Sequence, residues 1–284
     1  MIGPFRAAVV QMNSGADRAE NLSQAEQLVE LAAGQGARLV VLPEMFNRFC
    51  ASRTMVAEAE PIQGPTSRAM SSLAARLGIV LVAGSIYERV GDDGAFGVDC
   101  DGTKAANTSL VFDEAGKLLA TYRKLHLFDV DLPGGGSIRE SHYVAPGTAT
   151  SVVDTSLGRL GQTICYDLRF AALFDALSAA ECDLIALPAA FTLATGRDHW
   201  EVLLRARAIE TQSYVLASNQ WGHHPDQPDS FGHSMIVDPW GTVLAQVADG
   251  VGVAVATIDG ERATAIRARL PVLRHRRAIP PAGA

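Results

Sequence analysis

The chain has 284 residues, with 24 Lys and Arg against 31 Asp and Glu, a net charge of −7. That acidic balance argues against a nucleic-acid partner, whose phosphates call for a basic face. With 48% hydrophobic and 19% charged residues the chain can bury a large core without disulfides or metal, which excludes disorder as its main state.

The first residues show no charged stretch ahead of an apolar one, so no secretory leader is expected. Ala7-Ala8-Val9-Val10-Gln11-Met12 reads as a strand, and residues 21–33 follow with Leu22, Ala25, Leu28, Val29 and Ala32 at helical spacing. Residues 38–44 return as a buried strand, 65–77 as a second amphipathic helix and 79–87 as another β-rich run. Strand and helix thus alternate, which argues α/β. The acidic stretch 91–103 is expected to form a solvated loop. Residues 107–113 and 118–124, joined at Glu114-Ala115-Gly116-Lys117, read as a hairpin, and 150–165 as a second one around Leu157-Gly158-Arg159. Between them, residues 129–147 predict a long irregular loop, of the kind that is often functional.

A helix is expected over 170–180, a strand over 184–187, a helix over 200–212 and a strand over 214–218. Residues 233–238, 242–247 and 251–258 read as a closing meander. Leu39-Val40-Val41-Leu42-Pro43 and Leu184-Ile185-Ala186-Leu187-Pro188 form a weak internal repeat, so two similar halves of one domain, residues 1–270, are predicted. Residues 271–284 read as a C-terminal arm, either a frayed end or a contact with a second subunit. The longest weakly charged stretch, 184–196, is too short to span a bilayer and contains Pro188, so no membrane span is expected.

Cys50, Cys100, Cys165 and Cys182 show no C-x-x-C spacing, and reduced thiols in a cytoplasm are the simplest reading. His126, His199, His223, His224 and His233 form no metal spacing. Cys165 stands where a strand turns into a helix, a junction whose N–H groups favour thiolate, although a strand-end cysteine also serves as a small core residue. A nucleophilic thiol needs a base and a donor for the developing charge. Glu44 and Lys124 each close a strand, where a carboxylate or ammonium either faces a cleft or is a solvated cap.

Taken together, Leu42-Pro43-Glu44, Tyr122-Arg123-Lys124-Leu125-His126-Leu127-Phe128-Asp129 and Ile164-Cys165-Tyr166-Asp167-Leu168-Arg169-Phe170 closely resemble the nitrilase superfamily of carbon-nitrogen hydrolases, in the family's order, over nearly the whole chain. The resemblance implies a four-layer α-β-β-α sandwich, with Glu44 as general base, Lys124 as the cation that stabilises the tetrahedral intermediate and Cys165 as nucleophile. Glu140, in Arg139-Glu140-Ser141, matches the second glutamate that positions substrate. The implied reaction takes a small carboxylate-bearing amide through a thioester to acid and ammonia, with no metal or organic cofactor. Members pair into dimers or larger homo-oligomers, and the 200–212 helix is a candidate interface.

The segments 191–210, 232–242 and 270–272 resemble the branch acting on deaminated glutathione. Glu44-Met45-Phe46-Asn47 and Leu125-His126-Leu127-Phe128-Asp129 resemble the ω-amidase branch equally well. A nitrilase or N-carbamoyl amidohydrolase uses the same residues, and a non-catalytic scaffold needs one of them missing. Both amidase branches take carboxylates, so a fixed cation is expected in the pocket: Arg169, four residues beyond Cys165 on one helix face, is the first candidate, with a salt bridge to Asp167 or Glu210 as its alternative role. Phe191 and Thr192, after the second Leu-Pro strand, are expected to line the pocket. One departure is Ala171, where relatives place proline at the start of the helix.

Overall fold

The computed structural model describes residues 3–89, 104–131 and 136–278. The first half runs β1 (Phe5–Gln11), α1 (Arg18–Gly34), β2 (Ala37–Val41), α2 (Ser52–Ala57), α3 (Pro65–Leu77), β3 (Val80–Val82), β4 (Ile86–Arg89), β5 (Ala105–Phe112), β6 (Leu118–Arg123), β7 (Asp129–Asp131) and β8 (Ser137–Arg139). The second runs β9 (Ser151–Thr155), β10 (Gly158–Gln162), α4 (Ala171–Ala179), β11 (Leu184–Ala189), α5 (Leu193–Thr211), β12 (Tyr214–Asn219), β13 (Trp221–His224), β14 (Gln227–Phe231), β15 (Met235–Val237), β16 (Val243–Gln246), β17 (Gly252–Ile258) and α6 (Gly260–Arg269).

One sheet has the order β17-β1-β2-β3-β5-β4, with β6 also on β5, and the other β16-β15-β12-β11-β10-β9. Side chains alternate across a strand, and here that alternation sorts three cores. Ala7, Val9, Leu39 and Val41 meet Leu184, Ala186, Tyr214 and Leu216 between the sheets. Ala8, Val10, Val40 and Leu42 point the other way, onto Leu28, Val29, Met70 and Leu73 of α1 and α3. Ile185, Leu187, Val215 and Ala217 do the same onto Phe174, Leu177, Trp200 and Leu204 of α4 and α5. Strands buried on both faces must be apolar throughout, which is why the runs show no polar alternation. The layers are therefore α-β-β-α.

The halves repeat in detail: β1, β2 and β3 are parallel, as are β10, β11 and β12, so β2 and β11 are the central strands of their triplets. The two Leu-Pro segments belong to these central strands.

Several elements differ from expectation for identifiable reasons. The 79–87 run is split at Gly84, whose φ of +42° few side chains adopt. A Cβ there would lie 2.0 Å from the Pro43 carbonyl oxygen, one residue before Glu44. Gly84→Ala is expected to lower stability by about 1–3 kcal/mol, read as a drop in thermal midpoint; an unchanged midpoint would show that this approach is not tight. Helix α5 starts at Leu193 rather than residue 200, and Gly196 in its first turns sits where a Cβ would meet the Phe231 side chain at 2.3 Å. Part of the 129–147 loop pairs as β7 and β8. The closing strands are not one meander: β15 and β16 stay in the second sheet, while β17 crosses to pair antiparallel with β1.

Helix α6 was not expected, although Asp259 caps it by accepting from the Glu261 and Arg262 N–H groups. Beyond it residues 272–275 form a 3-10 turn, and Arg276 pairs with Asp175 of α4 at 3.0 Å. The acidic stretch 91–103 and the last residues of the arm lie outside the described residues. Among those described, no helix is long and apolar enough to cross a membrane.

Candidate active site

Strand ends of both sheets deliver the site, as open parallel sheets do at the carboxyl edges of their strands. Glu44 follows β2, Lys124 follows β6, Glu140 follows β8 and Cys165 lies three residues beyond β10. All four are buried, Lys124 at 2% exposure and Glu44 at 1%.

Charged groups are buried in this way only when paired. Lys124 Nζ donates to Glu44 Oε1 at 3.0 Å and to Glu140 Oε1 and Oε2 at 3.1 and 2.9 Å. The Ala190 N–H, just past β11, donates to Glu44 Oε2 at 2.8 Å, and the Phe128 N–H to Glu140 Oε2 at 2.6 Å. Gln220 Nε2 holds the Glu44 carbonyl at 3.0 Å. Every carboxylate oxygen therefore has a donor, and the pair is fixed by both sheets.

Cys165 has a φ of +45° and opens a 3-10 turn, Cys165–Arg169. Asp167 holds this elbow: its carboxylate, wholly buried, accepts from the Ile164 N–H at 2.9 Å, the Tyr122 hydroxyl at 2.7 Å and the His126 N–H at 3.1 Å. Tyr122 and His126 flank Lys124, so one side chain ties the cysteine turn to the segment bearing the cation. The sulfur faces Glu44 and the Ala190 N–H.

Electrostatics correct one expectation. The junction does not favour thiolate: burial first, and the Glu44 charge next, push the Cys165 thiol well above its ordinary range, against the smaller opposing effects of Lys124 and the Ala190 N–H. A short 3-10 turn also lacks the aligned dipoles of a longer α-helix. The resting sulfur is thus a thiol beside a carboxylate. Lys124 behaves oppositely. Burial disfavours its charge, but Glu140 and Glu44 outweigh that and hold it well above the usual lysine range.

The four residues open onto a cavity of about 600 Å³ with Phe49, Tyr87, Phe128 and Tyr143 among its walls. Thr192 lines it, as expected; Arg169 and Phe191 do not. In a 3-10 turn residue i+3, not i+4, returns to the same face, so Arg169 is turned away from Cys165. Its guanidinium lies over the rings of Tyr166 and Phe191 and donates to His199 Nδ1 at 3.2 Å. Phe191 packs its ring on Trp200 within the core.

Three contributors were missed in the sequence. The Ala190 N–H has no side-chain signature. Asn107 had one, since Asn107-Thr108-Ser109 is a polar run inside the otherwise apolar, wholly buried β5. Arg53 lines the cavity from α2, a helix the sequence did not announce. Arg139, also on the wall, is occupied by Asp131 and two carbonyls, whereas Arg53 has no hydrogen bond or ion pair among the described residues.

Known proteins resemble this chain over nearly its whole length. The deaminated glutathione amidase of Synechocystis is 40% identical over 96% of this chain and 98% of its own length. The omega-amidase NIT2 of Danio rerio is 39% identical over 96% of this chain and 95% of its own. The crystal structure of the C. elegans NitFhit protein superposes with a TM-score of 0.87 at 38% identity, covering 97% of this chain and 65% of that one. Residues 6–268 match the carbon-nitrogen hydrolase family, and the chain belongs to it.

Proposed function

We propose that the protein is a cysteine-dependent amidase that cleaves the γ-amide of deaminated glutathione. The observation that carries the chemistry is the buried cluster in which Lys124 and Glu140 hold the Glu44 carboxylate on the same cavity wall as Cys165. Glu44 takes the thiol proton as sulfur attacks the amide carbon, and Lys124 stabilises the oxygen as it becomes an anion. Glu44 returns the proton to the leaving nitrogen and a thioester remains. Water, deprotonated by Glu44, then attacks the thioester, the acid departs and the thiol regains its proton. Glu140 keeps Lys124 aimed throughout.

The cavity supports the branch. Glutathione without its α-amino group keeps its amide link to a dipeptide, so the leaving group is that dipeptide's amine, not the ammonia expected from a simple amide. A cavity of about 600 Å³ has room for such a group, and Arg53 on its wall, without a partner among the described residues, offers a cation for a carboxylate. An ω-amidase acting on the smaller α-ketoglutaramate is the second reading, favoured by similarity to the Danio rerio enzyme at nearly the same identity.

The test measures amine release from deaminated glutathione and ammonia release from α-ketoglutaramate and a simple nitrile, with Cys165→Ala protein as blank. Turnover of the first substrate well above the others is expected. Preference for the second identifies an ω-amidase, and turnover of the nitrile alone removes the amidase reading. The protein is further read as a cytoplasmic homo-oligomer. A nucleophilic cysteine must stay reduced, and α5 exposes Val202 and Ile209, at 67% and 46%, on its outer face.

A further inference from the structure

Asn107 touches three of the four site residues at once. Its side-chain amide donates to Glu44 Oε1 at 2.8 Å and Glu140 Oε1 at 3.2 Å, while its backbone carbonyl accepts the Lys124 N–H at 2.9 Å. Lys124 Nζ donates to the same two oxygens, so two donors and two acceptors form a closed four-membered arrangement. Asn107 is wholly buried, and its Oδ1 has no hydrogen-bond partner among the described residues. A bare buried oxygen is unfavourable, so the amide's orientation is set by its donor side, by the two carboxylates.

The chemistry of an amide suits this place. Two carboxylates and one ammonium leave the cluster with an excess negative charge, and proton uptake is its simplest relief. A second ammonium would neutralise the base, and a third carboxylate would add to the repulsion. An amide supplies two N–H donors and no charge. Around Glu44 the other groups are Lys124 after β6, Glu140 after β8, Cys165 after β10, Tyr87 on β4 and the Ala190 N–H after β11. The thiol and the Tyr87 phenol both keep their protons, as burial pushes each well above its ordinary range.

We infer that Asn107 is a positioning residue whose paired N–H donation holds the Glu44 and Glu140 carboxylates in their charged form and in register with Lys124. The inference rests on the reading of Glu44 as base, and the test separates the two. Iodoacetamide alkylates Cys165 by forming a C–S bond as the C–I bond breaks; iodide leaves and the thiol proton passes to Glu44. The rate is followed at the Cys165 peptide by mass spectrometry from about pH 4 to 9, which needs no knowledge of the natural substrate.

In the wild type this rate falls on the acid side. In Asn107→Ala the fall is expected at a pH higher by about one unit, because each carboxylate loses a donor that favours its charged form. Asn107→Leu keeps nearly the volume of the residue and removes both donors without adding a charge, and its limb moves by a similar amount in the same direction. A packing role alone would move neither limb, so limbs that stay at the wild-type pH in folded variants overturn the assignment. Because Leu is close to Asn in size and branching and carries no charge, the second variant decides the question even if the Ala variant does not fold. A wild-type rate with no acid limb at all would instead remove Glu44 as the base.

Discussion

Cys165→Ala is expected to lower turnover by about 10⁴-fold or more while leaving the fold in place. Among the described residues no second thiol lines the cavity: Cys50 and Cys182 are buried and free but lie off its walls. Ala fits the site without new contacts, and Asp167 still holds the elbow through the Ile164 N–H. Thermal stability should therefore stay within about 1 kcal/mol of the wild type. Cys165→Ser should be nearly as inactive, since a hydroxyl beside Glu44 gives up its proton far less readily than a thiol. Amine release at wild-type rate from the folded Ala variant would place the nucleophile elsewhere.

Short, local patterns in the sequence carried the strands and helices, while the four layers and the roles at the site came from the family resemblance. Strands buried on two faces must be continuous apolar runs, and a carboxylate or ammonium at the end of such a run needs a polar destination. That logic raised Glu44 and Lys124 as candidates, the strand-to-helix junction raised Cys165, and the roles of all three, with Glu140, came from the resemblance. What it lost depended on geometry between distant segments. Arg169 was placed on the face of Cys165 because an α-helical period was assumed, and a 3-10 turn rotates it away. Helix α5 was started late, at residue 200, whereas it begins at Leu193 with Gly196 packed against the Phe231 side chain. The thiol's protonation depends on burial and on Glu44, a residue far away in the chain. Asn107 acts through two carboxylates that only folding brings to it.

Lys124→Met separates the two jobs that the buried ammonium does. As the donor to the developing oxyanion its loss should lower kcat by about 10²–10³-fold, read on any amide the wild type turns over. As the partner of Glu44 and Glu140 its loss leaves two buried carboxylates facing each other, which should reduce stability by about 3–5 kcal/mol. The pH dependence follows from the direction of the shift. Lys124 is held well above the ordinary lysine range, so the stability it contributes is complete below the unfolded value near pH 10.4 and is lost only as pH rises through the raised one. Across neutral pH the wild type keeps that contribution in full. The variant has no cation to balance the carboxylates, so proton uptake by the pair should narrow its deficit as pH falls. Thermal midpoints of both proteins, measured from about pH 5 to 9, should therefore converge on the acid side and separate on the basic side. A deficit independent of pH would mean that the methionine merely packs badly, and an unchanged midpoint would mean that the triad of charges does not hold the two sheets' strand ends together.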